Sequence, residues 1–275
     1  MNSLRASASA LMLALSMSIP QGAVAQDTTP APRGSTAMPR PAGPDPIARE
    51  GVIEDGAVDA LKEMSAYLAS MKTAAITSQG SLDAVTADDQ RIQLDGTTTY
   101  KIRRPGFVID YKSDIKDRRF IYDGKTFTVY SPTLGFYASV PAPATNREVL
   151  DTIYNKFGIA LPLEDLFRWA DASYASRIQA LKSAYEVGTA TIDGVETDHF
   201  AFREQDVDWE VWIQQGDQPL PRKLVIVDRT DPSRPTFIAR LSWVVNPPLT
   251  DADFTFVPDA NAKKIQLATF QGSGE

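Results

Sequence analysis

Apolar residues along this chain recur with two periods. Val58, Leu61, Met64, Leu68 and Met71 stand three or four apart, and Lys62, Glu63, Ser70 and Lys72 occupy the other faces. That spacing predicts one amphipathic helix of about four turns. Beyond it the period shortens toward two. The runs AAITSQGSL, RIQL, TTTYKIR, FVIDYK, RRFIYD, KTFTVYS and FYASV read as strands. Asp95-Gly96 and Asp123-Gly124 predict tight hairpins among them, and Asp193-Gly194 predicts another later. Between Arg118 and Pro143 most side chains on both strand faces are large and apolar or β-branched. A sheet built this way must be covered by its own helices, by a lipid-like ligand or by a partner.

The middle of the chain returns to the helical period. ATNREVLDTIYNKFG carries Val149, Ile153, Tyr154 and Phe157 at helical spacing, with Thr145 or Asn146 as cap and Gly158 as stop. A second short helix is expected after Pro162, with Leu163, Leu166, Phe167 and Ala170 on one side. Strands then resume with YEVGTATI, VETDHFAF, DVDWEVWIQ, RKLVIVDR and FIARLSWVV. The chain closes with LTDADFTFVPDA, a brief turn or capped helix leading into a last extended segment. Short loops and Asp-Gly turns favour an antiparallel meander over a parallel sheet. The fold class is therefore α+β, a large curved antiparallel sheet of roughly ten or eleven strands, wrapped over an N-terminal helix and mid-chain helices.

If that sheet curves over the helices, one alternating set of residues faces inward. It comprises Phe107, Ile109 and Tyr111, then Phe120 and Tyr122. Later strands add Trp209, Val211 and Ile213, with Phe237, Leu241 and Trp243. The inserted helices offer Ile153, Phe157, Leu166 and Phe167 as a cover. These fifteen residues are the candidate ligand-binding set. Alternation reports burial and not whether the enclosed space is filled, so a closed core and an apolar ligand cavity both stay open.

The ends of the chain carry other signals. Arg5, the apolar stretch from Ala10 to Ile19 and the small-residue site Ala23-Val24-Ala25 read as a cleaved secretory leader over residues 1–25. Residues 26–49 are rich in proline and small polar residues and read as a disordered linker. Residues 50–275 are then expected to form one domain. The chain has no cysteine, hence neither a disulfide framework nor a lipid-attachment cysteine, and a periplasmic location is expected. No other stretch is apolar enough to span a bilayer. Acids outnumber bases, 35 to 28, which argues against a nucleic-acid partner.

Catalytic chemistry finds few residues to use. There is one histidine, His199, inside the strand-like run VETDHFAF, where it reads as a hydrogen-bonded strand residue. One histidine and no cysteine exclude the usual zinc sites and Cys-His pairs. Asp206, Asp208 and Glu210 alternate along one strand, as a solvated face does, although three acids in line suggest calcium or acid–base chemistry as the alternative. No phosphate-binding glycine loop occurs. Arg103-Arg104 and Arg118-Arg119 read as surface charge, or as a fork for a lipid headgroup at a cavity mouth. No catalytic residue, metal ligand or cofactor is assigned.

The combination of YDGKTFTVYSPTLGFYASV, a helical insertion and LTDADFTFVPDANAKKIQL resembles the bacterial lipoprotein-carrier superfamily. YKIRRPGFVIDY, ALPLEDL and TDHFAFREQDVDWEVWIQQGDQPLPRKLVI resemble, within it, a family of predicted periplasmic proteins of unknown function. The resemblance covers most of residues 55 to 270 and implies an incomplete antiparallel barrel around helices, with an acyl-chain cavity between them. It transfers no individual functional residue. The expectation is a non-enzymatic periplasmic binder of a lipid, a lipoprotein acyl chain or another hydrophobic molecule. The alternative is an envelope structural or regulatory module with a filled core that meets a protein partner.

Overall fold

The computed structural model describes residues 51–170 and 174–269. The leader (1–25) and linker (26–49) expectations lie outside those residues. Helix α1 (Asp55–Ser70) buries Val58, Leu61, Met64 and Leu68, the stripe read from the sequence. Met71 is its extended C-cap and remains buried. Six strands follow: β1 (Thr73–Val85), β2 (Arg91–Arg103), β3 (Phe107–Ser113), β4 (Asp117–Tyr122), β5 (Thr126–Ser131) and β6 (Phe136–Pro141). Three helices come next: α2 (Asn146–Phe157), α3 (Asp165–Trp169) and α4 (Tyr174–Ala180). The chain then returns through β7 (Ser183–Ile192), β8 (Val195–Arg203), β9 (Val207–Gln214), β10 (Pro221–Asp228) and β11 (Thr236–Val245). A 3₁₀ turn (Asp251–Phe254) and the two-residue β12 (Lys263–Lys264) end it.

All twelve strands form one open, curved sheet in the order β12-β6-β5-β4-β3-β2-β1-β11-β10-β9-β8-β7. Neighbours are antiparallel except β12, which runs parallel to β6. The sheet does not close, as expected of an incomplete barrel. Asp123-Gly124 and Asp193-Gly194 are the expected turns, with Gly124 at φ 104 and Asp193 and Gly194 both at positive φ. Asp95-Gly96 is a correction, because it lies inside β2 and joins RIQL and TTTYKIR into one strand. Gly96 pairs with Gly80 across β1. A Cβ at Gly96 would approach the Lys112 carbonyl to 3.2 Å and the Tyr111 ring to 3.4 Å. One at Gly80 would approach the Phe237 ring to 3.1 Å. These glycines serve close cross-strand packing, and the chain reverses instead at Thr86–Gln90.

The concave face packs against α1, α2 and α3 in one core cluster. Thr145 caps α2 by accepting the Glu148 N–H at 3.2 Å. Gly158 ends it in the left-handed conformation, φ 65, donating its N–H to the Tyr154 carbonyl. Helix α4 was not anticipated. The convex face answers why β3 and β4 are apolar on both sides. Val108 and Ile121 point outward and are covered by Phe254, Leu249 and Phe256 of the C-terminal segment. Arg103 lies over the Phe254 ring at 4.1 Å and pairs with Asp251, while Lys101 bonds Asp253 at 2.7 Å.

The cover helices are short and carry a buried ionic web. Glu164 and Asp165 are each 1% exposed. Arg168 reaches Glu164 and Asp151, both at 3.1 Å, and so joins α3 to α2. Arg177 of α4 lies 3.0 Å from Asp165. Trp169 meets Trp209 of the sheet at 5.7 Å, and Trp209 stacks on Phe202 at 4.1 Å. Burial pushes Glu164 up to about 7, outweighing the Arg168 guanidinium beside it. Burial also raises Glu204, against the opposing pull of Arg177.

Two outcomes follow from this packing. Met64 is fully buried, so Met64→Ala should lower unfolding stability by about 2–5 kcal/mol in a urea titration. Glu164 binds its proton more tightly folded than unfolded, so its contribution is fully present below pH 4.5 and is lost as pH rises through about 7. Stability should therefore decline across that window, and Glu164→Gln should remove on the order of 3 kcal/mol of the decline. Glu204 leaves the remainder. Identical pH profiles for the variant and the parent chain would contradict the assignment.

Candidate functional site

A cavity of about 380 Å³ opens where the helical cover stops short of the sheet. Its floor comes from β1 and β2 through Ala74, Ile76 and Ile102, with Trp243 from β11 beside them. One wall is the C-terminal end of α1, Leu68 and Met71. The facing wall is α3, through Leu166, Phe167 and Ala170, with the first residues of α2 completing the mouth. The interior is thus aliphatic and aromatic, and the volume lies within the usual range of roughly 300–1,000 Å³ for small-molecule sites.

Specific bonds set the shape of this space. Asn146 accepts the Gly106 N–H at 2.8 Å and donates to the Arg103 carbonyl at 3.0 Å, fixing α2 to the β2–β3 turn. Trp243 donates its indole N–H to the Pro221 carbonyl at 2.8 Å, which holds the ring in place with its polar atom satisfied. Arg104 donates to the carbonyls of Leu68 at 3.0 Å and Ala170 at 3.1 Å, tying the end of α1 to the end of α3. Asn246 accepts the Lys72 N–H at 3.0 Å, and the Thr73 hydroxyl donates to the Pro247 carbonyl at 2.8 Å. The lip next to Lys72 is fixed by that turn after β11.

The fifteen residues expected to face inward divide between this cavity and a packed core. Leu166, Phe167 and Trp243 line the cavity. Phe107, Ile109, Phe120 and Tyr122 pack in the core cluster, as do Trp209, Val211, Ile213 and Leu241. Ile153 joins them, with Phe157 and Phe237 packed against the same cluster. Tyr111 is partly buried and shares a narrow crevice with Phe237 near Pro162. The sequence reading missed Met71, Ala74, Ile76 and Ile102 as cavity residues. Met71 belonged to the helical stripe and Ile102 to a strand, but nothing in the pattern separates a residue facing a void from one facing a neighbour.

The polar candidates all find structural partners. His199 bonds Glu210 at 2.8 Å through Nε2 and stacks on Trp212 at 3.8 Å. Asp208 holds Arg203 at 2.6 Å and Arg234 at 2.8 Å. Asp208 and Glu210 therefore lie on an outer face of β9 where each carboxylate is bonded, and Asp206 precedes the strand. Arg119 bonds Asp110 through two nitrogens, and Arg118 donates to the Ser131 hydroxyl at 2.9 Å. Arg104 alone of the two arginine doublets lines the cavity.

Several solved structures have a similar course of chain. An uncharacterized conserved protein from Thermus thermophilus is 12% identical, with a TM-score of 0.45 over 77% of this chain and 99% of that one. Lipoprotein LppX from Mycobacterium tuberculosis is 11% identical, with a TM-score of 0.42 over 72% of this chain and 99% of that one. A LolA superfamily protein from Nitrosomonas europaea is 11% identical, with a TM-score of 0.37 over 73% and 97%. Likenesses this distant say nothing about a ligand. Among curated proteins none matches. Residues 57–268 match the family model described as predicted periplasmic protein (DUF2092), in keeping with the expected location, and the chain belongs to that family.

Proposed function

We propose that this periplasmic protein binds a hydrophobic ligand non-enzymatically, in the cavity between α1, α3 and the concave face of the sheet. The observation that carries this reading is the cavity itself. It is apolar at depth, its walls are fixed by hydrogen bonds from Asn146, Arg104 and Trp243, and it opens to solvent at the edge of the cover. A lipid or a lipoprotein acyl chain is the class that fits an interior with so few polar groups.

The magnitudes favour moderate affinity. At about 30 Å³ for a water-sized group, the cavity accommodates roughly a dozen such groups. A dozen methylenes at about 0.8 kcal/mol each give a gross gain of about 10 kcal/mol. Lost translational and rotational freedom returns at least about 4 kcal/mol of that. The net, at most about 6 kcal/mol, corresponds to dissociation constants of tens of micromolar or weaker. Such affinity suits a carrier that must release what it holds.

One observation favours a second reading, a protein-interaction module. Most of the inward-facing residues fill a packed core, and the cavity occupies only one end of it. The two readings separate in one experiment. The neutral fluorescent probe N-phenyl-1-naphthylamine should bind the purified chain at tens of micromolar. Ala170→Phe, which places a ring in the cavity from the α3 C-cap, should weaken that binding by about tenfold or more while leaving the melting temperature unchanged or higher. A parent chain that ignores the probe, and purifies without lipid by native mass spectrometry, would favour the interaction module.

A further inference from the structure

We propose that the cavity takes a single-chain amphiphile with an anionic head, its chain directed inward and its carboxylate or phosphate held among Lys72, Arg104 and Arg147. This rests on the hydrophobic-ligand reading above and names the class of ligand. The cavity differs in kind between depth and rim. At depth Leu68, Met71, Ala74, Ile76 and Leu166 are buried, whereas Lys72, Arg104 and Arg147 are exposed at the lip. Acids outnumber bases along the chain, 35 to 28, yet among the described residues this lining holds three cations and neither Asp nor Glu. These cations lie where the polar end of a buried chain would emerge.

The cations are positioned by the fold. Arg104 is fixed by its two bonds to main-chain carbonyls at the meeting point of α1 and α3. Arg147 stands in the first turn of α2, a twelve-residue helix whose N-terminal end forms the same stretch of wall. The positive end of that helix dipole adds to the field felt by an anion there. Arg147 also has Asp151 at 3.9 Å, a long contact, and Asp151 is bonded at 3.1 Å to Arg168. The small volume accommodates one chain and not two. Because the rim is solvent-exposed, each charge contact is weakened by water and salt. The head should therefore select by about tenfold and no more than about a hundredfold, with the apolar chain supplying most of the affinity.

The test compares heads on one chain length. Tetradecanoate, tetradecanol and tetradecyltrimethylammonium, each below its micelle concentration, compete with N-phenyl-1-naphthylamine for the purified chain at low ionic strength. Tetradecanoate should displace the probe at a concentration about tenfold lower than tetradecanol, with the cation weakest, and added salt should narrow the gap. The double variant Lys72→Gln/Arg147→Gln should lose most of the preference while its affinity for tetradecanol stays unchanged, and it leaves the Arg104 bonds intact. Inorganic phosphate at matched ionic strength should not displace the probe. If it does, the rim is an ion site and the proposal falls. Equal displacement by all three heads overturns the anionic head but leaves the apolar cavity standing. Displacement by none of them overturns the hydrophobic-ligand reading itself.

Discussion

An open antiparallel sheet with one alternating apolar face has to keep that face dry, and the rest of this molecule is arranged around that need. The strands cannot do so themselves, because the sheet does not close and its concave side gathers inward residues from β1 through β11. Helix α1 and the insertion between β6 and β7 supply the cover. They reach across most of the concave face, where Phe107, Tyr122, Val211 and Leu224 are fully or almost fully buried. At the end bounded by Met71, Ile102 and Trp243 they stop short, and the cavity lies there. The site is thus the residue of a covering problem, a place where the apolar face outruns its helices.

The way the cover is held bears on what it does. Helices α3 and α4 span five and seven residues, too short to be stable through backbone hydrogen bonding alone. Ion pairs joining Asp151, Glu164 and Arg168, with Arg177 on Asp165, hold them together instead, and the Trp169–Trp209 contact seats them on the sheet. Buried charges hold such an arrangement in one geometry at some cost in stability, because desolvation opposes the ionised form. The high proton affinity of Glu164 is the visible sign of that cost. The cavity wall formed by Leu166 and Phe167 inherits its position from this web.

Much of the fold was legible because its period is explicit. The stripe from Val58 to Leu68 gave α1, and Thr145 with Gly158 bracketed α2 almost to the residue. Asp-Gly read correctly where the glycine needed positive φ and incorrectly at Gly96, where the residue was selected by the closeness of Lys112 and Tyr111. Glu164, Asp165 and Arg168 were passed over because charges are ordinarily solvated. Only the i,i+4 spacing of Glu164 and Arg168 hinted at pairing. The C-terminal segment, read as a brief turn or capped helix before an extended end, is a capped 3₁₀ turn. That its Phe254 covers Val108 and Ile121 on the convex face depends on contacts between residues far apart in the chain. The candidate site was legible least. Leu166 and Val211 look alike in the sequence, yet one faces a cavity and the other a packed neighbour.

The central claim is that the apolar void beside Met71, and not the packed core, receives the ligand. Methyl-labelled protein with tetradecanoate in solution tests this by nuclear Overhauser contacts from the acyl chain. Contacts to the methyl groups of Met71, Ile76 and Leu166, with none to Val211 or Leu224, are the expected result. An acyl chain that touches neither Met71 nor Ile76, or that lies against Val244 and Val257 on the exposed surface, would contradict the account.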